Sequence, residues 1–384
     1  MAEILEKIDI SDIYEQELSF LIGSGASSGI FPTLATAMKN ETDQRETIET
    51  LAQYFEGKNK KELKTLLFMY YYKECIEPVM IFDLEEVKTN ELIFGEEDKI
   101  KVIDNYKKFI STLYDILEPR KAYEKKINIF TTNYDTCFVE AYEELLKEEK
   151  IPLNLNDGTR GFKTKLLEAR HFDSIEVIKG VFDSSEHKIP QLNIVHLHGS
   201  VYWRKNGESI QVQYHGYNKD RIIKDIAPEL ECFKSIIENP ESNRDNFESI
   251  VFSDDFQEKD KIFWGKYNSL PIVNPTKWKF HETVFEEHYY QMLRHMSYVL
   301  EKRNSILIVF GFSFADEHIR NLIKRSLGNR TLTMFICCYS DSSYQEISPL
   351  FEGYRNVKFV KLNENMDFTK FNSDVFSIPS CNKD

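Results

Sequence analysis

The sequence lacks any run near the roughly 20 apolar residues of a membrane-spanning helix. Its opening Met1-Ala2-Glu3-Ile4-Leu5-Glu6-Lys7 has neither the basic start nor the apolar stretch of a secretion signal. The expectation is a cytoplasmic protein with no membrane association. Cysteine is sparse and unpatterned: Cys75, Cys137, Cys232, Cys337, Cys338 and Cys381 include no C-x-x-C pair. That argues against a zinc ribbon or a disulfide framework and leaves buried or free thiols. An excess of cations is missing too, since 49 Lys and Arg face 63 Asp and Glu for a formal net charge of −14. Such a chain is poorly suited to a long phosphate-backbone interface, so direct nucleic-acid binding is not expected. No internal repeat or low-complexity segment stands out.

What is present is 384 residues with 41% apolar content, enough for one large catalytic domain carrying insertions. Short apolar runs at Leu18–Ile22, Ile127–Thr131, Leu192–Leu197, Ile306–Phe310, Leu332–Cys338 and Val357–Leu362 are too uniformly apolar to keep one face in water. They predict an α/β fold, a Rossmann-like parallel sheet of about six strands with helices on both faces. Two segments are too long for crossovers. Residues 41–125 predict a helical insertion, with Lys61–Glu74 and Lys99–Leu117 as its clearest helices. Residues 204–304 predict a second, partly helical one that ends in a helix. There Phe285, Tyr289, Met292, Leu293, Met296 and Leu300 recur at helical spacing, as a core or subunit-interface stripe.

Four segments carry candidate chemistry, each directly after a strand candidate. Gly23-Ser24-Gly25-Ala26-Ser27-Ser28-Gly29 precedes a helix-like Thr33–Lys39. Glycines at a strand-to-helix turn let backbone N–H groups approach a pyrophosphate, and the helix N-terminus adds a positive dipole. The usual G-x-G-x-x-G is not met, because position 28 is serine and Gly29 comes one place late. Thr131-Thr132-Asn133-Tyr134-Asp135 puts a carboxamide and a carboxylate at a strand's C-terminal end, where open α/β sheets bind ligands; Asn133 or Asp135 equally suits the cap of a helix over Thr136–Lys147. In His196-Leu197-His198-Gly199 the two histidines share a face if the strand persists. His198 is the catalytic candidate and His196 its support, and without a carboxylate or cysteine at ligand spacing no metal is expected. Gly311-Phe312-Ser313-Phe314-Ala315-Asp316 repeats the strand–glycine–helix pattern, and Ser313 and Asp316 suit either a helix cap or a ribose hydroxyl.

In this order the segments resemble the sirtuin-like NAD-hydrolase family. Gly23–Pro32 is similar to its G-A-G-x-S…G-x-P loop, Thr131–Asp135 to its T-T-N-Y-D, Leu197–Gly199 to its L-H-G and Gly311–Asp316 to its G-x-S-x-x-D. The resemblance implies an NAD site with Asn133 and His198 as the essential pair and Asp135 near the nicotinamide. It places Gly23, Ser24, Gly25, Ala26, Ser27 and Thr132 on the cofactor, and Gly311, Ser313 and Asp316 on the adenosine side. Ser24 replaces an alanine of the loop. The Asp-Phe-Arg that follows the loop's proline in protein deacylases is absent, Thr33-Leu34-Ala35 standing instead, and the deacylases' zinc cysteines are missing. Lysine deacylation is therefore disfavoured.

The implied activity is cleavage of NAD into nicotinamide and ADP-ribose, by an NAD-depleting effector of bacterial antiphage defence. The alternative is a module that senses NAD or ADP-ribose without turnover. Soon after the last strand candidate only Met366–Asp384 are left over, so a separate activator chain is expected, a HerA-type ring ATPase first, an Argonaute-like protein second, and the apolar stripe of Phe285, Tyr289 and Met292 suits a homo-oligomer. The stiff stretch Leu270–Trp278, with Pro271, Pro275 and Trp278, is expected to cover the nicotinamide side as a lid or to fill a local core.

Overall fold

The computed structural model describes residues 3–40, 45–94, 97–120, 125–148, 151–180, 186–214, 221–274 and 283–378, side chains 92–94 and 283–286 excepted. Eight strands form one sheet: β1 (Glu3–Leu5), β2 (Glu17–Ile22), β3 (Lys126–Thr131), β4 (Asn154–Asn156), β5 (Gln191–His196), β6 (Ser305–Phe310), β7 (Thr333–Cys337) and β8 (Val357–Val360). All pair in parallel, in the order β1-β8-β7-β6-β2-β3-β5-β4. Six of these are the apolar runs of the sequence. The other two, β1 and β4, are three-residue edge strands that are partly exposed, which is why no apolar run announces them.

The apolar runs are continuous because alternate residues feed different cores. Ile306, Ile308 and Phe310 of β6 join one apolar cluster, while Leu307 and Val309 join another on the opposite face. Register on the β3 side is set by amides buried between strands. Asn193 Nδ2 donates to Asn128 Oδ1 at 2.8 Å, and Asn193 Oδ1 accepts from Gln191 Nε2 at 2.8 Å and Asn156 Nδ2 at 3.0 Å. A slip of one residue would part Asn193 from Asn128 and Asn156 on the neighbouring strands, at about 1–3 kcal/mol for each group left unpaired. Thr131 is thereby held opposite His196, so Asn133 and His198, each two residues further on, leave the sheet at the same level.

From β2 the chain proceeds through β3 toward one edge, and from β6 through β7 and β8 toward the other. The switch point therefore lies between β2 and β6, where open α/β sheets form a ligand crevice.

One expectation is corrected. Thr33–Lys39 is not a helix: Ala35–Lys39 is a strand paired antiparallel with Arg45–Thr47, burying Thr36 and Met38 on alternate positions. The Gly23 loop runs instead into a one-turn 3-10 helix, Ser24–Ser27, so no α-helix dipole points at it. The two long segments pack on each other. Helices α1 (Ile48–Gly57), α2 (Lys61–Tyr71) and α3 (Glu97–Leu117) belong to the first, and Glu229–Ile237 and Phe256–Tyr267 to the second. Phe55 meets Phe247 edge to face at 5.2 Å, and Phe68 lies 5.0 Å from Trp264. The fully buried Glu46 pairs with Arg244 Nη2 at 2.6 Å, so the two segments make one helical module. In helix Thr283–Leu300, Tyr289, Met292, Met296 and Leu300 are buried in the chain's own core and half-buried Leu293 packs against it. The side chain of Phe285 lies outside the described residues.

Candidate functional site

The C-terminal edge of the sheet has two halves. In the first, the loops after β2 and β6 touch backbone to backbone: Gly23 N donates to Phe310 O and Gly25 N to Gly311 O, both at 3.0 Å. Only glycine fits here. A Cβ on Gly23 would stand 2.4 Å from Gly311 O, and Gly311 itself sits at φ +67°, with its own Cβ position 2.9 Å from Ala26 N. The glycines thus join two loops, and the amides of Gly23, Gly25 and Ala26 are engaged within the protein. Above this joint opens a cavity of about 1320 Å³. Its lining includes Ser24, Gly25 and Ala26 from one loop and Gly311, Ser313 and Ala315 from the other. Lys39, Arg45 and Lys101 bring positive charge to it, opposed by Glu49, Asp98, Glu346 and Asp367.

The second half, after β3 and β5, is built from buried side chains. Ser27 Oγ donates to Asp135 Oδ2 at 2.7 Å and accepts from Asn133 Nδ2 at 3.1 Å and from the Tyr106 hydroxyl at 2.8 Å. Its hydrogen-bonding capacity is then used up. Asp135 Oδ1 also accepts from Cys137 N at 3.1 Å, at the start of helix Cys137–Glu148. The capping role expected of this segment is real and falls to Asp135. His196 donates Nδ1–H to Asn133 O at 3.0 Å, and burial holds its pKa below the ordinary value, which keeps the ring neutral. Burial likewise pushes the Tyr106 hydroxyl and the Cys137 thiol well up. Asn133 is only 7% exposed, yet its Oδ1 finds no hydrogen-bond partner among the described residues.

His198 does not continue β5, which ends at His196, so the two histidines are not neighbours on one strand face. It lies in a turn closed by Gly199 at φ +77°, where a Cβ would stand 2.2 Å from Pro271 O. Val273 N donates to His198 O at 2.9 Å, and Gly199 bridges Ile272. The described part of Leu270–Trp278 is therefore packed onto this turn, with Leu270, Ile272 and Val273 buried. Pro275 and Trp278 lie outside the described residues.

Asp316 takes the helix cap, one of the two roles the sequence offers it, and also reaches His198. It is not on the cavity lining with Ser313. Its Oδ1 accepts from His318 N and Ile319 N at 2.9 and 3.1 Å, capping helix Glu317–Ser326, and its Oδ2 meets His198 Nε2 at 2.9 Å. The loop that delivers it carries Phe314 at φ +60°, a left-handed conformation costly for an aromatic residue. Phe312 and Phe351, at 5.1 and 4.8 Å, hold that ring in place.

Of the residues singled out in the sequence, Ser24, Gly25, Ala26, Gly311 and Ser313 line the cavity, whereas Gly23, Ser27, Thr132, Asn133, Asp135, His198 and Asp316 do not. Thr132 donates its N–H to Ile22 O at 3.2 Å and so ties β3 to β2. Tyr106 was missed. It belongs to the buried stripe of α3, and a tyrosine on such a stripe needs a partner for its hydroxyl. That was a signal, but nothing in the sequence names Ser27 as the partner. Among the described residues no group of three or more His, Cys, Asp or Glu is arranged to hold a metal ion, and no helix is long and apolar enough to cross a membrane.

Comparison with known proteins agrees with this architecture. Residues 127–359 match the model of the SIR2-like domain, a span from β3 into β8 that takes in the Asn133, His198 and Asp316 segments and leaves out the Gly23 loop. No curated protein matches the chain. With more than half of its length matched, and with an all-parallel sheet carrying its loops at the C-terminal edge, the chain belongs to the SIR2-like family, whose members use NAD.

Proposed function

We propose that this chain is an NAD glycohydrolase, which splits the nicotinamide–ribose bond with water to give nicotinamide and ADP-ribose. The observation that carries the reading is Asn133: a buried carboxamide whose Nδ2 is held by Ser27 and whose Oδ1 lacks a partner. An unpaired buried acceptor is costly, and a ribose hydroxyl or a water molecule would satisfy it. Ser27 lies between Ala26 and Ser28, both on the cavity lining. This supports seating the dinucleotide along the two joined loops, its phosphates near Lys39, Arg45 and Lys101 and its reacting ribose toward Asn133.

The chemistry asks for little machinery. The C1′–N1 bond breaks with its electron pair going to the nicotinamide nitrogen, which neutralises the pyridinium charge and leaves an oxocarbenium-like ribose. Water oxygen bonds to C1′, and its proton passes to His198 and then to solvent. Placement and a prepared electrostatic setting supply most of the acceleration. An imidazole, which accepts a proton on one nitrogen while the other holds hydrogen, suits the transfer.

As a biological role we propose depletion of NAD in antiphage defence, under a separate activating chain. A HerA-type ring ATPase, or failing that an Argonaute-like protein, is the activator to try first. The experiment is incubation of purified protein with NAD, alone and with the product of the neighbouring gene, followed by chromatography for nicotinamide and ADP-ribose. Absence of both products in every mixture would refute hydrolysis.

A further inference from the structure

We infer that Asp316 is a positioning residue for His198: it fixes the imidazole in the Nε2–H tautomer and thereby makes Nδ1 the nitrogen that takes the proton. The inference rests on the hydrolase reading above and adds the identity of the working nitrogen.

The geometry separates the two oxygens of Asp316. Oδ1 alone performs the cap, accepting from His318 N and Ile319 N. A serine, threonine or asparagine would cap that helix equally well. Oδ2 is turned instead to His198 Nε2 at 2.9 Å, across 118 residues of sequence, with Asp316 only 5% and His198 17% exposed at the side chain. A carboxylate accepts and does not donate, so Nε2 must carry hydrogen when the ring is neutral. Nδ1 is then the lone-pair nitrogen, and among the described residues it makes no hydrogen bond. The backbone is equally fixed: His198 O is tied to Val273 N, and the turn is clamped between Gly199 and Pro271. Asp316 is held by its own helix and by the strained loop at Phe314. Ring and carboxylate are thus placed from opposite sides of the sheet's switch point, and the imidazole has one orientation in which to work. Once protonated, the imidazolium would be stabilised by the same Oδ2.

The test uses the full chain labelled with ¹⁵N-histidine, His198 being identified by its absence from His198→Gln. Asp316→Asn keeps the cap but presents an N–H to Nε2, so the ring must flip to the Nδ1–H tautomer. Asp316→Ser keeps the cap and removes the second oxygen. Expected are an Nε2–H signature for His198 in the unaltered chain and an Nδ1–H signature in Asp316→Asn. In both variants kcat for NAD should fall roughly 10²–10⁴-fold with KM unchanged, at an unaltered unfolding midpoint. An Nδ1–H tautomer in the unaltered chain would overturn the inference. So would a raised KM at unchanged kcat, the mark of a substrate contact, or full activity in both variants. Should the chain release no nicotinamide while the tautomers behave as stated, the pairing stands and the hydrolase reading falls.

Discussion

The two halves of the sheet's C-terminal edge are built on opposite plans. The β2/β6 half is made of backbone and small residues, joined glycine to glycine, and it opens onto a cavity. The β3/β5 half is made of side chains in a buried hydrogen-bonded network of Ser27, Asp135, Asn133, His196 and Tyr106. One half offers shape to a ligand, while the other offers fixed chemistry. The difference teaches that the loop most visible in the sequence, the Gly23 loop, contributes to both: its backbone shapes the cavity, and its Ser27 side chain anchors the network.

Asn133→Ala and His198→Ala are the strongest challenge to this division. Each should lower NAD hydrolysis roughly 10²–10⁴-fold, or about 3–5 kcal/mol of barrier, with the fold intact. Initial rates of nicotinamide release on folded variants measure it, and near-normal turnover in both would remove the chemical half. The layer beneath that half contains His295, whose ring lies 6.1 Å from Phe130 of β3 and whose pKa burial pushes down from 6.5 to about 4. Below pH 6.5 the unfolded chain takes up a proton that the folded chain refuses until about pH 4, so stability is lost as pH falls through that window. The amount is about 3 kcal/mol at 1.36 kcal/mol per pH unit. In urea unfolding at pH 7 and pH 4.5, His295→Gln should lack most of that loss; an unchanged pH dependence would show the ring to be accessible to solvent.

Gly23→Ala tests the shaping half. With a Cβ position 2.4 Å from Gly311 O, the two loops must part, at about 1–3 kcal/mol of stability, and NAD should bind more weakly by calorimetry. Unaltered affinity would mean that the joint does not shape the cavity. Tyr106→Phe is the finest test: it removes one donor from Ser27, which keeps Asn133 and Asp135, and should cost about 1 kcal/mol of stability with a small loss of turnover. A loss as large as that of Asn133→Ala would promote Tyr106 from support to the chemistry itself.

Much of the fold was legible in the sequence because a strand buried on both faces must be apolar along its whole length. Ile306–Phe310 is an example, and its strand was placed within one residue. β1 and β4 were not legible, being short and partly exposed. Thr33–Lys39 misled because so short a stretch cannot separate a helical from an alternating pattern, and the partner of its strand, Arg45–Thr47, lay beyond the window. Within the site, Asn133, Asp135, His198 and Asp316 were all picked out as chemistry-bearing residues. How they group was not legible: the resemblance implies the adenosine side for Asp316, and the structure adds a contact from its Oδ2 to His198 Nε2.

The sequence by itself determined a parallel α/β sheet with its polar motifs at strand ends, because hydrophobic pattern and strand-end placement are local properties. Only the tertiary structure decided which motifs meet. The switch point puts β6 beside β2, the buried amides hold Thr131 level with His196, and the capped helix brings Asp316 to His198 over 118 residues. Which residues meet over such separations depends on packing and register summed over the whole chain, and no local pattern of residues records that sum.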